Sequence, residues 1–199
     1  MFSFTNQQTR KENNMKNIYL NMKAIIEVME SRDEKQERYN LQCVRIEDEE
    51  DYRVYVATNG HTLFYARTPK PNDDGIGENG INLRINQKFT KKDSRFGDLE
   101  FEWDESNGRI IQPALGYMFA DDKSCNYPEW RKVVPMECEL ANYYVAFNPD
   151  YVKKVNKFLD VVGLIPYGND WKSPHLFKKE DDEDKFAIIM PVRPENYKK

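Results

Sequence analysis

Residues 98–104, Asp-Leu-Glu-Phe-Glu-Trp-Asp, alternate strictly between acidic and apolar side chains. A helix would scatter Leu99, Phe101 and Trp103 around its circumference. A β-strand puts all three on one face and Asp98, Glu100, Glu102 and Asp104 on the other. The segment therefore belongs to a sheet with one packed face and one wet face, which is the habit of antiparallel sheets. Asn107-Gly108 comes shortly after. That pair tolerates positive φ and closes a hairpin onto 109–111.

The same reasoning finds further strands. Tyr39, Leu41 and Cys43 alternate with Asn40 and Gln42 and read as a half-buried strand. Segments 54–58 and 61–66 flank Asn59-Gly60, a second hairpin signal. Tyr117 and Phe119 mark another strand, and 186–190 is an apolar run of strand length. Two segments change to a helical period. The first, 22–33, gathers Ile25, Ile26 and Met29 on one side. The second comes after Asn148-Pro149-Asp150, where Asn148 suits the cap and Pro149 suits a first turn that leaves its N–H unpaired anyway. Tyr151, Val152, Val155, Phe158 and Leu159 form its apolar side, with Lys153, Lys154 and Lys157 opposite. Segment 69–80 is a Pro, Asn, Asp and Gly loop, and 180–184 is an acidic turn. A helix and then a strand hairpin occur near each end. This arrangement predicts an α+β fold, antiparallel sheets with helices segregated to one face.

Composition removes several function classes. The 13% aromatic content demands a packed core, so the chain is not disordered. The start, 1–20, is read as a polar, disordered tail, and its first 14 residues have no apolar stretch of the kind a signal peptide needs. No apolar run approaches the roughly 20 residues that span a bilayer. Three cysteines at no metal-ligand spacing, with only two histidines, argue against a metal site and for free thiols in the reducing cytoplasm. A net charge of −4 is unlike that of a simple nucleic-acid coat protein, although basic residues gathered on one face still bind DNA. There is no phosphate-binding glycine loop and no nucleophile motif. Glu100, Glu102 and Asp104 are explained as the wet face of their strand. Spacing sets no carboxylate or nucleophile beside His61, which reads as a hairpin residue. No catalytic residue, cofactor or metal is expected. An enzyme on an unrelated α+β fold, resting on His61 and the acidic strand, is the remote alternative.

Four segments carry a resemblance to a known family. Ala57-Thr58-Asn59-Gly60-His61-Thr62-Leu63, Asn126-Tyr127-Pro128-Glu129-Trp130-Arg131-Lys132-Val133-Val134-Pro135, Phe147-Asn148-Pro149-Asp150-Tyr151-Val152 and Ile188-Ile189-Met190-Pro191-Val192-Arg193 stand in this order. Together they resemble the bacterial DNA polymerase sliding clamp, the beta subunit of the replicative polymerase. Ser173-Pro174, with the acidic turn after it, also fits. The match runs over 21–193 and is poor over 69–116.

The resemblance implies a DNA-clamp-like fold in which 21–135 is similar to a middle clamp domain and 136–199 to the second half of a last one. A clamp subunit has three such domains and pairs into a ring of six, so this shorter chain needs more copies or a partner to close a ring. The resemblance also implies a groove that docks short peptides of polymerases and repair proteins. Its residues carry over as Thr58, Gly60, His61 and Leu63 from the hairpin, then Pro128, Lys132 and Val133. From the end of the chain come Pro174, Ile188, Met190, Pro191, Val192 and Arg193. Thr62 stands where the family has Arg, and Lys132 replaces a second Arg, losing its bidentate fork. Clamp helices face DNA, which makes Lys153, Lys154 and Lys157 the phosphate-contacting candidates. The resemblance supports two functional readings. One is a clamp-like protein of replication and repair that docks partner peptides and contacts double-stranded DNA as a homo-oligomer. The other is a non-ring adaptor or decoy that keeps only the groove.

Overall fold

A computed structural model describes residues 15–32, 39–73, 75–90, 92–135 and 137–192. The strands are β1 (Met15–Asn21), β2 (Cys43–Asp48), β3 (Tyr52–Thr58), β4 (Thr62–Pro69), β5 (Ile81–Arg84) and β6 (Asp98–Asp104). They continue as β7 (Arg109–Gln112), β8 (Tyr117–Asp121), β9 (Glu139–Leu140), β10 (Tyr167–Gly168), β11 (His175–Lys178) and β12 (Lys185–Ile189). All twelve join in one sheet, in the order β1-β6-β7-β8-β5-β2-β3-β4-β12-β11-β10-β9. Helices α1 (Met22–Met29) and α2 (Pro149–Leu159) pack on the same face.

The alternation in β6 does what its chemistry requires. Phe101 and Trp103 are buried while Glu100 and Glu102 are exposed. All seven residues of β1 pair with β6. The polar tail expected over 1–20 does not hold over 15–20, where Ile18 and Leu20 alternate into the core as strand residues. Residues 1–14 lie outside the described ones. The first helix ends at Met29 rather than 33, and residue 33 also lies outside them. The strand expected at 39–43 is a 3₁₀ turn, Tyr39–Gln42, and β2 starts only at Cys43. Three alternating residues are too few to separate a strand from a turn.

Each helix starts with an asparagine cap. Asn21 Oδ1 accepts from Ala24 N, and Asn148 Oδ1 accepts from Asp150 N. Ile25 and Val28 of α1, with Val155, Phe158 and Leu159 of α2, join one core cluster with the sheet. Burying each such side chain contributes about 1.5–3 kcal/mol. A smaller cluster lies on the opposite face, where Trp130 covers Val54, Val56, Leu63, Tyr65 and Ile188. β3 and β4 are covered on both faces, which is why they read as nearly continuous apolar runs.

The front and back of the chain meet along β4 and β12, where Leu63 pairs with Ile188 and Tyr65 with Phe186. The rings of Tyr65 and Phe186 stack at 4.3 Å, and Phe64 stacks on Phe158 of α2 at 4.4 Å.

Segment 69–80 is anchored from within. Arg53 on β3 is fully buried and forks two carboxylates, with Nε on Asp48 at 2.7 Å and Nη1 on Asp73 at 2.8 Å. Asp73 also accepts from Tyr19 N at 2.6 Å, and Arg53 donates to the Tyr19 carbonyl. One guanidinium thus ties β1, β2, β3 and the loop together. Burial opposes ionisation of Asp73, yet its bonds to Arg53 and to backbone N–H groups outweigh this and hold its carboxyl below the usual range.

His175 pins the C-terminal strands. It is fully buried, with Nδ1 2.9 Å from the Ser173 carbonyl oxygen and Nε2 2.9 Å from the Tyr143 hydroxyl. Gly168 lies so close that a Cβ there would meet the imidazole at 2.6 Å. Burial pushes the His175 pKa down, against the opposing pull of the Ser173 carbonyl and Asp170.

Both anchors are testable by substitution. Arg53→Met strands the Asp73 carboxylate, 1% exposed, and leaves Asp48 only Lys70 at 3.9 Å, and it is expected to cost about 3–5 kcal/mol in urea unfolding at neutral pH. Part of that loss should return in acid, as protonation relieves the stranded carboxylates. For His175, the folded pKa lies below the ordinary 6.5. Its contribution is complete above that value and is lost as pH falls through the folded pKa. Urea midpoints measured down to pH 5 should decline more for wild type than for His175→Gln. Parallel curves would refute the linkage.

Candidate functional site

The β3–β4 hairpin turns through Asn59, Gly60 and His61. Gly60 has φ of 85°, a region open to glycine and strained for most residues. Asn59 Oδ1 accepts from His61 N at 2.9 Å and from Thr62 N at 2.8 Å, and Thr58 Oγ1 donates to the Thr62 carbonyl at 2.7 Å. These bonds fix the turn independently of any ligand. The Thr62 hydroxyl, 2.8 Å from that of Ser31, links the turn to the end of α1. Met190 N donates to the His61 carbonyl at 2.8 Å, extending the β4–β12 ladder by one bond.

Beside this turn lies a cleft of about 250 Å3. The hairpin supplies Thr58, Gly60, His61, Thr62 and Leu63 to its wall, β12 and its continuation supply Ile188 and Met190, and segment 128–133 supplies Pro128, Glu129, Trp130 and Val133. Leu41, from the 3₁₀ turn, completes it. The space is smaller than the roughly 300–1,000 Å3 of drug-sized pockets and suits one or two apolar side chains. The indole N–H of Trp130 is buried without a hydrogen-bond partner among the described residues. The Trp130 ring is held by Tyr65 at 5.6 Å and by the Arg131 guanidinium at 4.2 Å.

The structure thus brings Thr58, Gly60, His61, Leu63, Pro128, Val133, Ile188 and Met190 together. It does not bring Lys132 with them. That side chain is exposed, pairs with Glu129 and lines a neighbouring cavity that shares Pro128, Glu129 and Trp130 with the cleft. Pro174, Pro191 and Val192 lie off the cleft wall, and Val192 N donates instead to the Ala146 carbonyl. Arg193 is outside the described residues. Leu41, Thr62, Glu129 and Trp130 join the wall without being among the expected groove residues. Glu129 and Trp130 lie inside the family-like segment and carry that signal, whereas nothing near Leu41 in sequence marks it.

The three lysines of α2 behave differently from one another. Lys154 Nζ donates to the Glu30 carbonyl at 3.1 Å, and Lys157 Nζ lies 3.1 Å from the Glu30 carboxylate. Lys153 is exposed. On the same side, Lys23 N donates to the Phe96 carbonyl, which places exposed Arg95 and Lys92 near α1.

Glu100 and Glu102 stand on β6, separated from β4 by five intervening strands, so they do not meet His61. The His61 ring is stacked with Tyr151 of α2 at 6.0 Å. Among the described residues no group of three or more His, Cys, Asp or Glu is placed to hold a metal ion, and no helix is long and apolar enough to cross a membrane. Cys43, Cys125 and Cys138 are free thiols, and burial pushes that of Cys43 up to about 12.

No family model matches the chain, and no curated protein matches it in sequence. Solved structures do match in shape. The DNA polymerase III beta subunit of Thermotoga maritima superposes over 89% of this chain with a TM-score of 0.66 at 13% identity. A sliding clamp of Bartonella birtlesii bound to griselimycin does so over 89% with a TM-score of 0.67 at 16% identity. A griselimycin-bound clamp of Pseudomonas aeruginosa gives 0.68 at 14% identity. This chain spans 65% of the Thermotoga subunit and 66% of the Bartonella clamp. The α+β antiparallel fold of this chain is that of the DNA polymerase III beta sliding clamps, in shortened form.

Proposed function

We propose that the protein is a docking protein of DNA replication or repair that captures short apolar segments of partner proteins in the hairpin cleft. One observation carries this reading. Three chain segments far apart in sequence, each matched to the clamp family by its motif, converge on one preformed apolar cleft. Met190 gives that wall adaptability toward apolar anchors. In this reading 21–135 serves as a middle clamp domain and 136–199 as part of a last one, with the groove at their junction. The chemistry is binding, and the protein acts without a cofactor, in the cytoplasm.

DNA contact by an oligomer is the second part of the reading. Its support is the row of exposed cations on the helix side, Lys23, Lys92, Arg95 and Lys153, with Lys157 shared with Glu30. Such contacts would be sequence-independent and would weaken as salt rises. The non-ring adaptor is supported by the state of β1, the edge strand of the sheet. The N–H and C=O of Tyr19 are both taken by Asp73 and Arg53, which blunts that edge against further strand addition.

Fluorescence polarisation of a labelled clamp-docking peptide of the Gln-Leu-x-Leu-Phe type tests the docking. Saturable binding is expected, and Met190→Ala should weaken it roughly tenfold, about 1.4 kcal/mol. Failure to bind below about millimolar peptide would end the docking reading. Lys153→Glu with Lys92→Glu should abolish a salt-sensitive DNA shift if the oligomer encircles or grips DNA. A protein that binds peptide yet never shifts DNA, at any concentration where it associates, is the adaptor.

A further inference from the structure

Two of the three thiols meet. The Cys43 thiol donates a hydrogen bond to the sulfur of Cys125. The fold explains the meeting. Cys43 opens β2 two residues before Arg45, so both side chains leave the sheet on one face. Arg45 Nη1 donates to Asn82 Oδ1 of β5 at 3.1 Å, and Asn82 Nδ2 donates to the Cys125 carbonyl at 2.9 Å. Cys125 N donates to the Asp122 carbonyl and closes the turn after β8. Tyr127, two residues on, donates through its hydroxyl to the Val56 carbonyl on β3. The segment after β8 is thus folded back over β5, β2 and β3, and it delivers Cys125 to Cys43.

The surroundings give the two sulfurs different parts. Cys43 is fully buried, whereas Cys125 is 6% exposed. Cys125 also lines the cavity of about 520 Å3 that it shares with Asn126, Arg131 and Lys132, so a small solute reaches its sulfur first. Burial raises the pKa of both thiols, but at Cys125 the hydrogen bond from Cys43 opposes that rise and favours the thiolate. Cys138 is placed differently. It stands just before β9, and five strands lie between β9 and β2.

We propose that Cys43 and Cys125 are a redox couple, which a small hydroperoxide converts into a disulfide that staples the segment after β8 to β2. The Cys125 thiolate attacks one peroxide oxygen, the O–O bond breaks, and Cys125 becomes a sulfenic acid as the first water leaves. The Cys43 sulfur then attacks the Cys125 sulfur. Its proton goes to the departing hydroxide, which leaves as the second water. The two thiols lose two electrons and hydrogen peroxide gains them. The staple reaches the cleft, because Leu41 precedes Cys43 by two residues, Pro128 follows Cys125 by three, and both stand in its wall. The couple itself does not depend on what docks there.

Peroxide treatment of the full chain tests the couple. The protein is exposed to hydrogen peroxide, quenched, unfolded in an alkylating agent and mapped by mass spectrometry. A peptide pair joined through Cys43 and Cys125 is expected, with Cys138 alkylated, and dithiothreitol should release the pair. The oxidised chain should unfold at higher urea, with an unfolding constant lowered about a hundredfold and restored by reductant. Amide exchange over 126–131 should slow in the same form. In Cys43→Ser, Cys125 should stop at the sulfenic acid and be trapped by dimedone, and an unchanged melt of the reduced variant would verify its fold. Linkage of either cysteine to Cys138, linkage between chains alone, or alkylation of both Cys43 and Cys125 after peroxide overturns the proposal. The wild-type map decides this even if the variant fails to fold.

Discussion

The pairing of β4 with β12 is the constraint on which the rest of this molecule depends. It aligns Thr62–Ala66 with 185–189 in antiparallel register, although the two segments are separated by more than a hundred residues. Without it β9 to β12 would be a small four-stranded flap with its own exposed edge, too thin to be stable alone. With it, α2 settles on Phe64 and the sheet becomes continuous. Register is decided by burial on both faces. A one-residue slip would send Ile188 toward the helices and Ala187 toward Trp130, which neither side can accommodate. The cleft is a by-product of this junction, because its walls are the hairpin ahead of β4 and the residues just past β12.

Much of this is legible in the sequence, and the failures have physical causes. Strong alternation in β6, the Asn-Gly turns and the Asn-Pro start of α2 carry local signals that tertiary structure has no reason to override. The three family-like segments that form the cleft are legible as motifs, but nothing local can show that they meet. Lys132 falls outside the cleft because a helical or extended reading of 128–133 does not reveal which side of Trp130 each residue faces. The lysines of α2 share one face in the helical period, yet Glu30 from another element claims two of them. Segment 69–80 holds no hint that Asp73 is bound by Arg53, since an arginine in the middle of a buried strand carries no indication of its partners.

At 13–16% identity to the clamps, few side chains are shared, and the fold persists because its requirements are coarse. A sheet face needs apolar residues of about the right volume at alternate positions, and many sequences satisfy that. The devices peculiar to this chain appear where such tolerance ends. Arg53 supplies, with two carboxylates, what a hydrophobic plug would supply elsewhere. His175 fills a slot that only Gly168 leaves open. Both are polar groups whose cost of burial is met by full hydrogen bonding, and both stand at joints between elements, where specificity of arrangement matters more than net stabilisation.

The floor of the cleft extends the same logic to function. Ser31 at the end of α1, Thr62 at the start of β4 and Asn59 in the turn form one connected network of hydrogen bonds. Because these groups satisfy each other, the cleft does not need a ligand to hold its shape. Binding to a preformed site forfeits less conformational entropy, so a small apolar contact can yield useful affinity. A neutral network also has no long side chain that can swing to greet a charged ligand. The short Thr62 side chain, closed into this network, favours rigidity over reach. The cleft that results is held in shape by its own hydrogen bonds, so an occupant would have to fit the walls as they stand.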